Sequence, residues 1–198
     1  MKIGILSDIH CNLAGLDAAL ALLDDCEELI CAGDLMYQFR FEPGVLERLA
    51  QRRAHTILGN HDKTILHAPN HPLRHSARAL APHLLDALGA FPSDLTLETG
   101  DVRIRVFHGA PWDALREPVA HYLYPEDRGA MARLAGVAAD VVVLGHTHVP
   151  YAHQTAGPLV VNPGSCGEPR PGGDLRYCAA LDLVTRTVDF RPIVLPPV

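Results

Sequence analysis

The chain has 198 residues, 48% of them hydrophobic, and a formal net charge of −6. That length suits one domain, residues 1–198, with a sizeable core. No apolar run approaches the ~18 residues of a membrane span, and there is no basic footprint of the kind a duplex nucleic-acid binder carries.

Residues 2–7 read as a first strand buried on both faces, because nearly all are apolar. Asn12 is placed to cap a helix from Leu13 to Asp25, with Leu16, Leu20 and Leu23 at helical spacing. Residues 28–32 form the second strand, Pro43 opens a second helix running to Arg53, and residues 55–58 form the third strand. This alternation of strand and helix predicts parallel βαβ units. Residues 63–91 break the pattern. They are rich in His, Ala and Leu, are interrupted by Pro69, Pro72 and Pro82, and read as kinked helices inserted beside a cleft. Residues 94–98 and 102–107 predict a hairpin around Thr99-Gly100-Asp101. A loop over residues 110–127, holding Trp112, Tyr122 and Tyr124, leads into a helix ending at Gly136. Residues 140–144 are a buried strand, and residues 149–192 read as a β meander before a proline-rich extended tail.

Five polar clusters punctuate these elements. They are Asp8-Ile9-His10, Gly33-Asp34, Gly59-Asn60-His61-Asp62, His108-Gly109 and Gly145-His146-Thr147-His148. Each follows a strand-like run, so all can project from one edge of a sheet assembly, where open α/β folds bind ligands. Gly-His-Thr-His is the strongest signal, since a strand's period of two would set both imidazoles on one side. The donors are oxygen and nitrogen with no thiolate. Such a set suits two divalent ions, Mn²⁺ first and Fe²⁺, Ni²⁺ or Zn²⁺ as alternatives, better than a structural zinc. Two cations would make this pocket attractive to phosphate despite the acidic chain. Cys11, Cys26, Cys31, Cys166 and Cys178 are scattered without Cys-x-x-Cys spacing and read as packed free thiols of a cytoplasmic protein.

The ordered set Asp-x-His, Gly-Asp, Gly-Asn-His-Asp, His-Gly, Gly-His-x-His resembles the calcineurin-like metallophosphoesterase superfamily. Asn162-Pro163-Gly164-Ser165 is similar to a turn of its small bacterial and archaeal members. The resemblance implies a four-layer α-β-β-α sandwich of two mixed sheets with helices on the outer faces. It also implies a dinuclear phosphoesterase acting on small phosphodiesters, and on monoesters too, by attack of a metal-bridging hydroxide. One metal would take Asp8, His10, Asp34 and His148. The other would take Asn60, His108 and His146, with Asp34 shared. His61 is expected as a general acid, or as a positive partner for the leaving oxygen. Asp62 is expected either to orient the His61 ring or to cap a helix. Substrate contacts are assigned to Tyr37 and Arg40, which follow Asp34, and to Arg170. An arginine can fork onto phosphate oxygens, and a plain surface arginine is the competing reading. The remaining histidines, including His67, His71 and His75, are expected to be solvated. Two rival classes compete with the diesterase. A non-catalytic scaffold of the same fold would lack the histidine after Asn60, and a DNA nuclease would need an extension and a basic face.

Overall fold

The computed structural model describes residues 1–76, 79–112, 121–170 and 172–195. Residues 113–120 of the expected loop, and the tail from residue 196, lie outside the described residues. In chain order the strands are β1 (Lys2–Leu6), β2 (Glu28–Cys31), β3 (His55–Thr56), β4 (Asp94–Thr99), β5 (Val102–Phe107), β6 (Val141–Val143), β7 (Pro150–Gln154), β8 (Leu159–Pro163), β9 (Arg176–Asp182) and β10 (Thr187–Ile193). The helices are α1 (Leu13–Leu22), α2 (Pro43–Gln51), α3 (Asn60–His67), α4 (Pro72–His75), α5 (Pro82–Gly89) and α6 (Arg128–Leu134).

The strands form two five-stranded mixed sheets, ordered β10-β9-β1-β2-β3 and β4-β5-β6-β8-β7. Strands β1, β2 and β3 run parallel to one another, as do β5, β6 and β8. Three apolar clusters explain the layering. Ile3, Ile5, Ile30 and Ile57 of the first sheet meet Ile104, Val106, Val141, Val143 and Val161 of the second in a dry interface. The opposite face of the first sheet, through Leu6, Leu29 and Cys31, packs on Leu16, Leu20, Val45, Leu49, Ile65 and Leu88 of the helices. The opposite face of the second sheet, through Phe107, Val142 and Val160, packs on Ala130, Met131 and Leu134 of α6. Burying each β-branched face twice in this way gives the α-β-β-α sandwich that the sequence implied.

Local chemistry sets the helix starts. The Asn12 side chain accepts from the Gly15 N–H at 2.9 Å, and Pro43 sits in the first turn of α2, where its missing N–H costs nothing. Helix α1 stops at Leu22, short of the expected Asp25, and the expected meander over residues 149–192 does not form. Strand β8 inserts between β6 and β7, parallel to β6. The chain then crosses to the first sheet, where β9 lies antiparallel to β1. Within β8, Val160 packs towards α6 and Val161 towards the first sheet, and both are buried. The 63–91 stretch resolves into α3, α4 and α5, with Ile65, Leu73 and Leu88 sealing the edge of the helical layer. Among the described residues no helix is long and apolar enough to cross a membrane.

Candidate metal centre

Each of the five polar clusters begins just beyond the C-terminal end of a parallel strand: Asp8 and His10 after β1, Asp34 after β2, Asn60 after β3, His108 after β5, and His146 and His148 after β6. The parallel sense of these strands brings all their ends to one edge of the sandwich. Three sets of donor atoms converge there, each within 4.8 Å: Asp8, His10 and His148; His10, Asp34 and His61; and Asp34, His108 and His146. The Asn60 Oδ1 joins the third set, 3.1 Å from His108 Nε2.

The backbone holds this arrangement under strain. Asp8, His10, Asp34, His146 and His148 all have φ between 49° and 70°. This left-handed conformation is unfavourable for residues with a Cβ and accumulates where surrounding contacts over-determine a site. His146 and His148 therefore do not gain their placement from a strand's period of two, as the sequence suggested. They sit on a loop and serve different donor sets, His148 beside Asp8 and His146 beside His108. Asn162 shapes that loop, since its amide donates to the Gly145 carbonyl and to Thr147 Oγ1. Ser165, from the same Asn-Pro-Gly-Ser turn, donates to the Asp8 carbonyl and accepts from the Glu168 N–H. Close approach dictates two glycines. A Cβ on Gly59 would fall 2.0 Å from Asp34 Oδ1, and one on Gly145 would fall 2.2 Å from Ser7 Oγ.

The free donor atoms fit cations. Asp8 Oδ2 accepts from the His146 N–H, but Oδ1 is buried without a hydrogen-bond partner, with His148 Nε2 the nearest imidazole nitrogen at 3.4 Å. Asp34 Oδ1 accepts from the His61 N–H, and Oδ2 faces the imidazoles, 3.2 Å from His108 Nε2 and 3.9 Å from His10 Nε2. His108 donates its Nδ1–H to the Ala32 carbonyl at 2.7 Å, so Nε2 is the ring nitrogen that faces the site. His10 Nε2 and His148 Nε2 approach to 3.1 Å, a spacing that one proton or one cation between them would relieve.

Proton affinities reflect the same crowding. Burial acts to raise Asp8 and Asp34, but neighbouring imidazoles outweigh it and hold both below the usual carboxylate range: His148, His108 and His10 around Asp8, and His108 and His10 around Asp34. Burial acts to lower His108, yet Asp34, Asp8 and the Ala32 carbonyl raise it to about 9. Burial lowers His10 despite Asp34 and Asp8, while the Asp8 carboxylate, whose Oδ1 lies 3.4 Å from His148 Nε2, leaves His148 raised against the effect of burial.

His61 stands at the mouth, its Nε2 3.9 Å from Asp34 Oδ2 and its ring stacked on Tyr37 at 4.9 Å. Its Nδ1 accepts from the Gln38 N–H at 3.1 Å, so the neutral ring carries its proton on Nε2. Asp62 does not orient this ring. Its Oδ2 accepts from the Gly59 and Leu35 N–H groups and its Oδ1 from the Met36 N–H. The residue is the third of α3, reaching back to the helix start as half of a capping box. It thereby ties the loop carrying Asp34 to the helix carrying Asn60 and His61. Burial first, and the charge of Asp34 next, raise Asp62 to about 7 against the pull of those three N–H groups.

Sequence reasoning missed two groups. His71, expected in solvent, is buried; its Nδ1 accepts from the Leu73 N–H and its Nε2–H donates to the Gln38 carbonyl at 2.6 Å. It thus steadies the Gln38 backbone that orients His61, and no spacing rule reveals a contact 33 residues apart. Tyr122 lies flat against His146, with centroids 4.0 Å apart and planes 12° apart. The alternation Tyr122-Leu123-Tyr124 was its only signal. Among the expected substrate contacts, Tyr37 touches His61 and His10. Arg170 lines a cleft of about 480 Å³ together with His148, Asp174 and Tyr177. Arg40 lies over the Tyr37 ring and pairs with Glu168 at 3.6 Å, largely in solvent.

Fold and site together define a metallophosphoesterase-type α/β sandwich. The chain belongs to the calcineurin-like phosphoesterase superfamily, whose domain profile matches residues 1–186. It is similar to a phosphodiesterase of Methanocaldococcus jannaschii, 26% identical over 84% of each chain. The fold is shared with a metallophosphoesterase from Sphaerobacter thermophilus at a TM-score of 0.78, with 24% identity over 99% of this chain and 90% of that one. It is also shared with Vps29 from Entamoeba histolytica at a TM-score of 0.58, with 17% identity over 98% of each chain.

Proposed function

We propose that the protein is a dinuclear-metal-dependent hydrolase of small phosphodiesters, with activity on phosphomonoesters as well. The observation that carries this is Asp34: it belongs to two converging donor sets, and its Oδ1 is engaged by backbone so that Oδ2 is left between them. Asp8, His10, Asp34 and His148 would hold one divalent ion, and Asp34, Asn60, His108 and His146 the other. Mn²⁺ suits the carboxylate, carboxamide and imidazole donors, and Fe²⁺, Ni²⁺ and Zn²⁺ are the alternatives. When bound, such a pair supplies positive charge at the phosphoryl oxygens and an activated water for in-line displacement.

The chain's own residues account for the remainder. His61 presents Nε2–H to an oxygen of the ester, the leaving oxygen by preference. Full transfer of that proton from an imidazolium would require breaking the Gln38 N–H contact, so hydrogen-bond donation comes first. Tyr37 holds the flank of the His61 ring. Arg170 shares a cleft with His148 and Arg40 one with His10, and Arg170 is not paired with Glu168 as Arg40 is, so Arg170 is the better candidate to receive a phosphate oxygen or the far arm of a diester. The unpaired cysteines are consistent with a reducing, cytoplasmic setting.

A non-catalytic scaffold, the role of the rival reading, gives no reason to gather the buried carboxylates of Asp8 and Asp34 and the imidazoles of His10, His108, His146 and His148 at one edge, since burying such groups is costly without a ligand to hold. The test is turnover of bis(p-nitrophenyl) phosphate and p-nitrophenyl phosphate by protein stripped with chelator and reloaded with Mn²⁺. Activity that vanishes with the chelator and returns with Mn²⁺ is expected. Inertness across both esters with metal bound would favour the scaffold.

A further inference from the structure

We propose that Tyr122 and Tyr124 form a stacking platform for the nucleobase of a nucleotide ester whose phosphate lies at the metal centre, which rests on the phosphoesterase reading above. Leu123 is buried in the core of the second sheet's outer face, and its carbonyl accepts from the Tyr151 hydroxyl at 2.8 Å. This anchor turns the two flanking side chains away from the core. Tyr122 is 55% exposed and Tyr124 40% exposed, although both are large aromatic groups that ordinarily bury most of their surface. Their rings lie within 14° of parallel, with centroids 6.3 Å apart, and Tyr122 in turn lies on His146.

Tyr122 adds a flat, exposed layer directly beside a ligand of the candidate centre. Tyrosine loses little conformational entropy on binding because it has only two side-chain torsions. Every nucleobase offers a π-face, so a tyrosine platform accepts bases without reading their identity. The other flank of the histidine loop differs. There His148 opens on a cleft where the Arg170 guanidinium and the Asp174 carboxylate stand among Val149, Pro150 and Leu175. A flat aromatic layer on the His146 side and a cleft carrying charged groups on the His148 side match the asymmetry of a nucleotide ester, with the base on one side of phosphorus and a second substituent on the other.

The test compares AMP with ribose 5-phosphate, which share phosphate and sugar and differ by the base, as ligands in titration calorimetry of the Mn²⁺-loaded His61→Ala protein, whose turnover is too slow to consume them. AMP should bind roughly 5- to 150-fold more tightly, the ratio expected from stacking one base on an aromatic ring. In that background Tyr122→Ala should bring the two dissociation constants together by weakening AMP alone, and Tyr122→Trp should keep them apart. Equal affinities with Tyr122 intact would overturn the platform and leave the phosphate site standing. An equal weakening of both ligands in Tyr122→Ala would overturn it too, assigning Tyr122 to the packing of His146. Failure of both phosphates to bind would remove the phosphoesterase reading and the platform with it.

Discussion

Replacing Asp62 tests how the site is held together. Its two carboxylate oxygens accept three backbone N–H groups, from Gly59 at 2.9 Å, Leu35 at 3.1 Å and Met36 at 2.9 Å, in a fully buried setting. Asp62→Ala strands all three donors. A buried donor left without an acceptor costs about 1–3 kcal/mol, so the loss should reach roughly 3–9 kcal/mol. That is a large share of the ~5–15 kcal/mol that stabilises a typical domain. Asp62→Asn should cost less. Its amide oxygen can take the place of Oδ2 and keep the Gly59 and Leu35 bonds, and only the Met36 N–H then faces an NH₂ group, for about 1–3 kcal/mol. Urea unfolding of metal-free protein, followed by circular dichroism and read from midpoints at a common slope, gives both values without a contribution from bound metal. Equal losses for Ala and Asn, or a loss below about 1 kcal/mol for Ala, would refute the clamp.

Asp34→Asn removes the charge shared by the two donor sets, so phosphodiester turnover should nearly vanish and Mn²⁺ affinity should fall; wild-type rates at saturating Mn²⁺ would contradict the shared role. His61→Ala should retain metal and fold and lose about 10²–10⁴-fold in kcat. A loss larger for an alkoxide leaving group than for p-nitrophenolate marks action at the leaving oxygen, and equal losses mark stabilisation of phosphoryl charge. Metal uptake should release protons, because His108 is raised to about 9 in the metal-free chain and must give up its Nε2 proton to bind. Apparent Mn²⁺ affinity should therefore climb from pH 7 towards pH 9 and then level, with calorimetric heats that track buffer ionisation; flat affinity across that window would contradict the His108 assignment.

The layered fold was legible because the strands carry near-continuous apolar runs, such as Ile3 to Leu6 and Val141 to Val143, broken at fixed places by polar clusters. The residues nominated as ligands were legible for a related reason: Asp, Asn and His seldom follow such runs five times in order. The sequence was silent where distant pairing decides the outcome. Nothing local distinguishes a meander from β8 sliding between β6 and β7, since that choice is made by the apolar faces of other strands. Nor does local sequence announce left-handed backbone at His146 or His148. Tertiary bonds impose it, among them those from Asn162 to the Gly145 carbonyl and Thr147. His71 escaped notice for the same reason, its partner Gln38 being on another loop.

The central claim is that two cations share Asp34. It is tested most directly by elemental analysis of protein stripped of metal, reloaded with excess Mn²⁺ and desalted. Close to two metals per chain are expected, falling to one or fewer in Asp34→Asn. A stoichiometry at or below one in the unmodified protein under saturating Mn²⁺ would contradict it.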